Sequence, residues 1–133
     1  MATPPGIGER GRSTRPARGE DDVTELDRVL EGIATGRSRR VLYSLSESDV
    51  ETIDGLVDEV VEREVGLPAE MTSEERRRHI RADLVHTHLP RLAELEIVEY
   101  DPHEETVDYG DPPPRLDEFL AVFRVIETGS RRE

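Results

Sequence analysis

The sequence contains no cysteine, which excludes disulfides, thiolate zinc sites and a cysteine nucleophile. It contains no lysine either: all 18 basic residues are arginine, set against 31 Asp and Glu. Aromatic residues make up 4% and apolar residues 34%, so the core has to be small and built mostly of Leu, Val and Ile. No run approaches the roughly 20 apolar residues of a membrane span. The opening stretch MATPPGIGERGRSTRPARGE lacks the apolar segment of a secretory signal. The expected location is therefore cytoplasmic. No Gly-rich phosphate loop or nucleophile motif is found. Neither a cofactor nor a catalytic site is expected, and the chain reads as a non-enzyme.

What the sequence does have is acid. The net charge is −13 and charged residues reach 37%. Such an excess keeps a protein in solution but strains its compact state, and concentrated salt relieves that strain. A lysine-free, acid-rich composition resembles the proteins of salt-accumulating haloarchaea. A GC-rich genome would explain the missing lysine but not the surplus acid.

The length of 133 residues suits one domain with loose ends. Residues 1–19 hold Pro, Gly, Ser, Thr and Arg with little to bury, and are expected to form a disordered basic tail. Arg10, Arg12, Arg15 and Arg18 make it either an arm for nucleic acid or an inert leader. Residues 20–110 read as the folded domain. Thr24 with Asp27 forms a capping pattern, and Leu26, Val29, Leu30 and Ile33 recur at helical spacing up to Gly36, a suitable left-handed stop. Arg37 to Ser46 gives a second helix with Val41, Leu42 and Leu45 inward and Tyr43 at the edge. Its Arg37, Arg39 and Arg40 either hold phosphate or pair with nearby acids. Thr52 caps a third helix with Ile53, Leu56, Val57, Val60 and Val61 on one stripe.

Thr72-Ser73-Glu74-Glu75 reads as a capping box with Thr72 as N-cap, opening a long helix whose apolar stripe holds Ile80, Leu84, Leu92 and Leu95, widened by Val85 and Leu89. Pro90 lacks an N–H and clashes with the carbonyl of His86, so a kink or break is expected near Leu89. Ile97 to Tyr100, the Asp101-Pro102-His103-Glu104 turn and Thr106 to Tyr109 make a short hairpin. After Asp111 to Pro114, residues 115–128 form a last helix. Leu116, Phe119, Leu120, Phe123 and Ile126 on one of its faces either close the core or pair with a second copy, making the chain a homodimer. Residues 129–133 are a loose tail.

The expected fold class is mainly α with a small β-hairpin: a winged helix-turn-helix. The segments GRSRRVLYSLSE, TIDGLVDEVV and TSEERRRHIRADLVHTHLPRLAELEIVEYD resemble the haloarchaeal DUF7344 group of winged-helix domains, over about Leu26 to Tyr109. HLPRLAELEIVEYD is also similar to the end of the recognition helix and the start of the wing in small repressors of the ArsR type. In those a Gly usually precedes the strand; here Glu96 stands in that place. The resemblance implies a transcription regulator.

A helix of this kind enters the major groove of DNA while the wing touches the backbone. The candidate DNA contacts are Arg76, Arg77, Arg78 and Arg81, with Arg39 and Arg40 on the second helix. At 100° per residue, Arg77 and Arg81 share the arc of Ile80 and Leu84, so their stems are expected along the core. The wing holds Asp101, Glu104, Glu105 and Asp108, which repel phosphate. A protein partner bound through the acidic wing is the alternative to DNA. His86 and His88 point apart on a regular helix and cannot share a metal, so no metal site is expected; His88, on the apolar side, reads as a satisfied core histidine.

Overall fold

The computed structural model describes residues 17–47 and 52–128. Of the tails expected at 1–19 and 129–133, residues 1–16 and 129–133 lie outside them, whereas residues 17–19 are helical and not disordered. Six helices and one hairpin follow in order: α1 (Ala17–Gly32), α2 (Gly36–Glu47), α3 (Ile53–Val65), α4 (Glu74–Asp83), α5 (Leu89–Glu94), β1 (Glu99–Asp101), β2 (Thr106–Asp108) and α6 (Leu116–Thr128). A 3-10 turn at Ala69–Met71 precedes α4, and a π turn at Leu84–His88 joins α4 to α5. The fold is mainly helical with a two-stranded antiparallel hairpin, registered Glu99 to Asp108, Tyr100 to Val107 and Asp101 to Thr106.

The hairpin is not free-standing. Thr52, just before α3, bridges to Thr106, and the Ile53 amide donates to the Glu105 carbonyl at 3.0 Å. This contact ties the hairpin to the start of the second core helix. It gives the helix, strand contact, helix, helix, hairpin order of a winged helix.

The core is built from the inward apolar residues of the helices; of the stripe expected on α1 only Val29 and Ile33 are buried, while Leu26 and Leu30 are exposed at 42% and 44%. Val41 and Leu42 of α2, all five stripe residues of α3, Ile80, Leu84, Leu89 and Leu92 of the long helical segment, Ile97 and Val107 are at most 1% exposed. Tyr43 is buried in the core instead of lying at its edge, whereas Leu45 is only partly buried. α1 leans on α5: Arg28 Nε donates to the Leu95 carbonyl at 2.9 Å, and Arg91 pairs with Glu31 at 3.4 Å. Gly32 permits this approach, because a Cβ there would lie 2.4 Å from Cδ1 of buried Ile97.

Several local expectations are corrected. α1 begins at Ala17, seven residues before the expected start, so Thr24 is interior to the helix and caps nothing. Gly36 is the first residue of α2 and its φ is not positive; the chain turns between the helices without a left-handed residue. Gly66, in contrast, does take the left-handed conformation (φ 81°) and closes α3 with its N–H on the Glu62 carbonyl. The N-cap of α4 is Ser73, whose hydroxyl accepts from the Arg76 amide, and not Thr72. Thr72 is drawn backwards, its amide closing the 3-10 turn on the Ala69 carbonyl at 3.0 Å, and its buried hydroxyl has no partner. Ile97 and Val98 do not join the strand but fill the core as the chain turns into it.

That turn answers the substitution of Glu96 for glycine. Glu96 adopts φ 63°, its amide donates to Ala93 at 2.9 Å, and the Ile97 amide donates to Leu92 at 3.0 Å. This is the paired 5→2 and 6→1 closure that ordinarily recruits glycine. The geometry of the turn is thus preserved with a residue that disfavours it.

Candidate nucleic-acid interface

α4 starts cleanly. Ser73 satisfies one exposed amide, and Glu74 and Glu75 place negative charge at the positive end of the helix dipole. Beyond that turn the arginines divide by helical phase. Ile80 is 1% exposed and Leu84 is buried, so their side faces the core. Arg77 and Arg81 flank that side. Arg77 directs Nε and Nη2 at Asp58 Oδ1 of α3, at 3.0 and 2.6 Å. Arg81 reaches Asp54 Oδ1 of α3 at 3.2 Å and Glu105 Oε1 of the hairpin at 3.5 Å. The bond to Asp58 raises the pKa of Arg77 above its ordinary value, against the opposing effect of burial.

The α2 candidates are also engaged. Arg39 grips Glu127 Oε2 of α6 at 2.7 Å and donates to the Ile33 carbonyl at 2.7 Å, and Arg40 lies 3.6 Å from Glu64. Of the six candidate contacts, only Arg76 and Arg78 are fully exposed, and neither forms an ion pair among the described residues. Two residues apart on a regular helix, they point to opposite flanks of α4, with His79 between them. A shallow cleft of about 430 Å³ at the start of the helix is lined by Ser73, Arg76 and His79 together with Arg37, Glu75 and Ile80.

The hairpin turn is acidic as expected. Asp101 Oδ1 accepts from the amides of His103 and Glu104 at 3.0 and 3.1 Å, an arrangement that fixes the turn. Glu104, Glu105 and Asp108 remain exposed.

A polar chain beneath the helices was not legible in the sequence. Glu64 of α3 binds Arg37 of α2 through two bonds of 2.6 Å. Arg37 Nη1 continues to Asp83 Oδ2 at 2.8 Å, which also meets His88 Nε2 at 3.0 Å, and His88 Nδ1 meets Ser38 Oγ at 2.9 Å. Burial alone would raise the pKa of Asp83, but the bonds from Arg37 and His88 outweigh it and hold the carboxyl below its usual range. Ser, His and Asp in one hydrogen-bonded row suggest a nucleophile. Ser38 is only 6% exposed, however, and its hydroxyl faces the bundle. The row braces α2, α3 and the π turn, and it makes His88 the satisfied interior histidine that its position implied.

α6 is fastened to α2. Tyr43 donates to Glu127 Oε1 at 2.6 Å, and the Arg124 guanidinium lies 4.8 Å above the Tyr43 ring while Arg39 lies 5.2 Å above Phe123. The candidate dimer residues separate accordingly. Leu116 and Leu120 are spent in the core, at 0% and 2% exposure, and Phe119 and Phe123 pack against it. Ile126 is exposed at 60%, beside Val122 and Val125, which lie outside the stripe expected from the sequence.

Among the described residues, no three His, Asp or Glu side chains gather as a metal would require, and no helix is long and apolar enough to cross a membrane. The structure thus defines a mainly helical, winged-helix-like domain with an arginine-bearing third core helix. The family described as Domain of unknown function (DUF7344) matches residues 30–108, and the chain belongs to it. No curated protein and no solved structure matches the chain.

Proposed function

We propose that the protein is a DNA-binding transcriptional regulator of the winged-helix type, from a haloarchaeon and related in layout to small ArsR-type repressors. The observation that carries this reading is the pair Arg76 and Arg78. They stand exposed, without acidic partners among the described residues, on the first turns of α4, the helix whose Arg81 meets Glu105 of the hairpin. In a chain of net charge −13, cations left over after ion pairing are rare, and their position on this helix gives them a use. Phosphate contacts at the cleft of Ser73, Arg76 and His79 would fix register, and Arg78 would reach base edges. The acidic hairpin stands off the backbone and supports the helix.

Regulators of this type commonly act as pairs, and the exposed Val122, Val125 and Ile126 on α6 are the surface proposed for a second copy. Their burial would remove an apolar stripe from water.

The test is fluorescence anisotropy with the gene's own upstream DNA in molar KCl. Wild type should bind, and Arg76→Ala/Arg78→Ala should lose most of that affinity without a change in melting temperature. Binding that is unaffected by the double substitution, or absent at every salt concentration, overturns the reading. Stoichiometric copurification of another protein through the hairpin would favour the interaction-module alternative.

A further inference from the structure

The acidic partners of the paired arginines span a wide range of exposure, from Glu64 at 12% to Glu118 at 73%. Glu64, which holds Arg37, has a side chain only 12% exposed, and Glu127, which holds Arg39, is 27% exposed. The Arg37 pair is the more enclosed of the two, and separating it would leave its carboxylate poorly solvated. Asp58, Asp54 and Glu105 are 45%, 66% and 60% exposed. The acids thus face solvent while the Arg77 and Arg81 side chains are 24% and 31% exposed, so these pairs are individually weak and readily exchanged.

We infer that Asp58, Asp54 and Glu105 are built-in stand-ins for DNA phosphate, occupying in the free protein the sites at which Arg77 and Arg81 take the phosphodiester backbone. This rests on the reading of the protein as a DNA-binding one. Arg77 closes two donors, Nε and Nη2, on a single carboxylate oxygen at 3.0 and 2.6 Å. That edge of the guanidinium grips a phosphate oxygen in the same way. Arg81 lies between an acid of α3 and an acid of the hairpin turn, 3.2 and 3.5 Å away. It therefore marks the seam between helix and wing, along which a DNA strand would run. Binding exchanges carboxylate for phosphate: the acids swing to water and the arginines keep a full set of acceptors. Only a duplex already engaged by Arg76 and Arg78 brings phosphate close enough to displace the acids.

The experiment uses the full chain, a mixed-sequence DNA duplex and a salt series. Asp54→Asn/Asp58→Asn keeps the side-chain shapes and removes the two α3 acids of the mask, leaving Glu105; Glu70→Gln/Glu94→Gln, on exposed sites of the 3-10 turn and α5, makes the same change in net charge elsewhere. The unmasked variant should bind at least about tenfold tighter than this control. Adding Arg77→Ala/Arg81→Ala should abolish the gain. A gain equal to that of the control, or one that survives the arginine substitutions, overturns the inference while leaving DNA binding itself intact. Binding by the unmasked variant with none by wild type at any salt overturns the exchange of carboxylate for phosphate in the native protein. Failure of every variant, wild type included, to bind at any salt overturns both the inference and the DNA-binding reading.

Discussion

Glu96→Gly should make the protein more stable. Glu96 is exposed, holds φ 63° and closes the end of α5 through its own amide and that of Ile97. A side chain in the left-handed region sets its Cβ against the backbone at a cost of roughly 1–2 kcal/mol. Glycine removes that cost but brings a looser unfolded chain, an opposing effect of about 0.4–1 kcal/mol. The net expectation is a gain of about 0.5–1 kcal/mol, or roughly 2–5 °C in Tm for a chain of this size. Charge confuses the comparison, because Glu25, Glu99 and Asp111 line the same cleft as Glu96. Glu96→Ala is the control: it removes the same charge and keeps the Cβ. Thermal unfolding followed by circular dichroism, in matched KCl, should place Glu96→Gly above both wild type and Glu96→Ala. If alanine stabilises as much as glycine, charge relief is the cause and the argument from backbone strain fails. If glycine destabilises, the turn carries no strain to relieve.

Ser73→Ala should cost about 1 kcal/mol through loss of the α4 cap, whereas Thr72→Ala, at a hydroxyl already without a partner, should cost less; chemical denaturation distinguishes the two, and the opposite order would restore Thr72 as the cap. Leu92→Ala, at a fully buried side chain between α1 and the hairpin, should cost about 2–5 kcal/mol, with unchanged helical content at low temperature. Arg39 and Tyr43 hold the Glu127 carboxyl below its usual range despite opposing burial, and Asp83 is likewise lowered. Both contribute stability above the unfolded carboxylate values near pH 4 and lose it as pH falls through their depressed folded values, so acid unfolding should begin below that point. Tyr43 behaves in the opposite sense. Burial first, then its bond to Glu127, pushes it up to about 12. Its contribution is complete below the unfolded value near pH 10 and is lost as pH rises from there towards about 12; tyrosinate absorbance against pH measures it.

The core was readable because apolar spacing is a local property. Every stripe residue of α3, from Ile53 to Val61, is buried as its period requires, and the Thr52 cap follows from a single residue type. The candidate site was readable only in composition. Which arginine meets which acid depends on how α3, α4 and the hairpin are placed. Asp58 and Arg77 are 19 residues apart, and Arg39 and Glu127 are 88 apart. A helical projection can show that Arg77 and Arg81 flank the core side, but it cannot supply the acids that wait there. Capping fails for a related reason. Thr72 and Ser73 have interchangeable chemistry, and the choice between them is made by the 3-10 turn upstream, which claims the Thr72 amide.

Pro90 shows how one residue changes the assignment of a whole face. A proline inside an α-helix removes a hydrogen bond and crowds the carbonyl four residues before it. Here the chain does not break but widens: Leu84–His88 forms a π turn, and the Leu89 amide donates to the Leu84 carbonyl, five residues back. The extra residue advances the helical phase by one position. Ile80, Leu84, Leu89 and Leu92 therefore make the fully buried stripe, in steps of four, five and three, while Leu95, expected there on a regular projection, is only partly buried. The same shift brings His88 over Asp83, a five-residue separation that a regular helix would splay apart, and so completes the row from Glu64 to Ser38. The turn that accommodates the proline thus also locks α4 to α2 and α3. It sets the angle at which Arg76 and Arg78 are presented, so the orientation of the proposed contact surface depends on a residue several helical turns away from it.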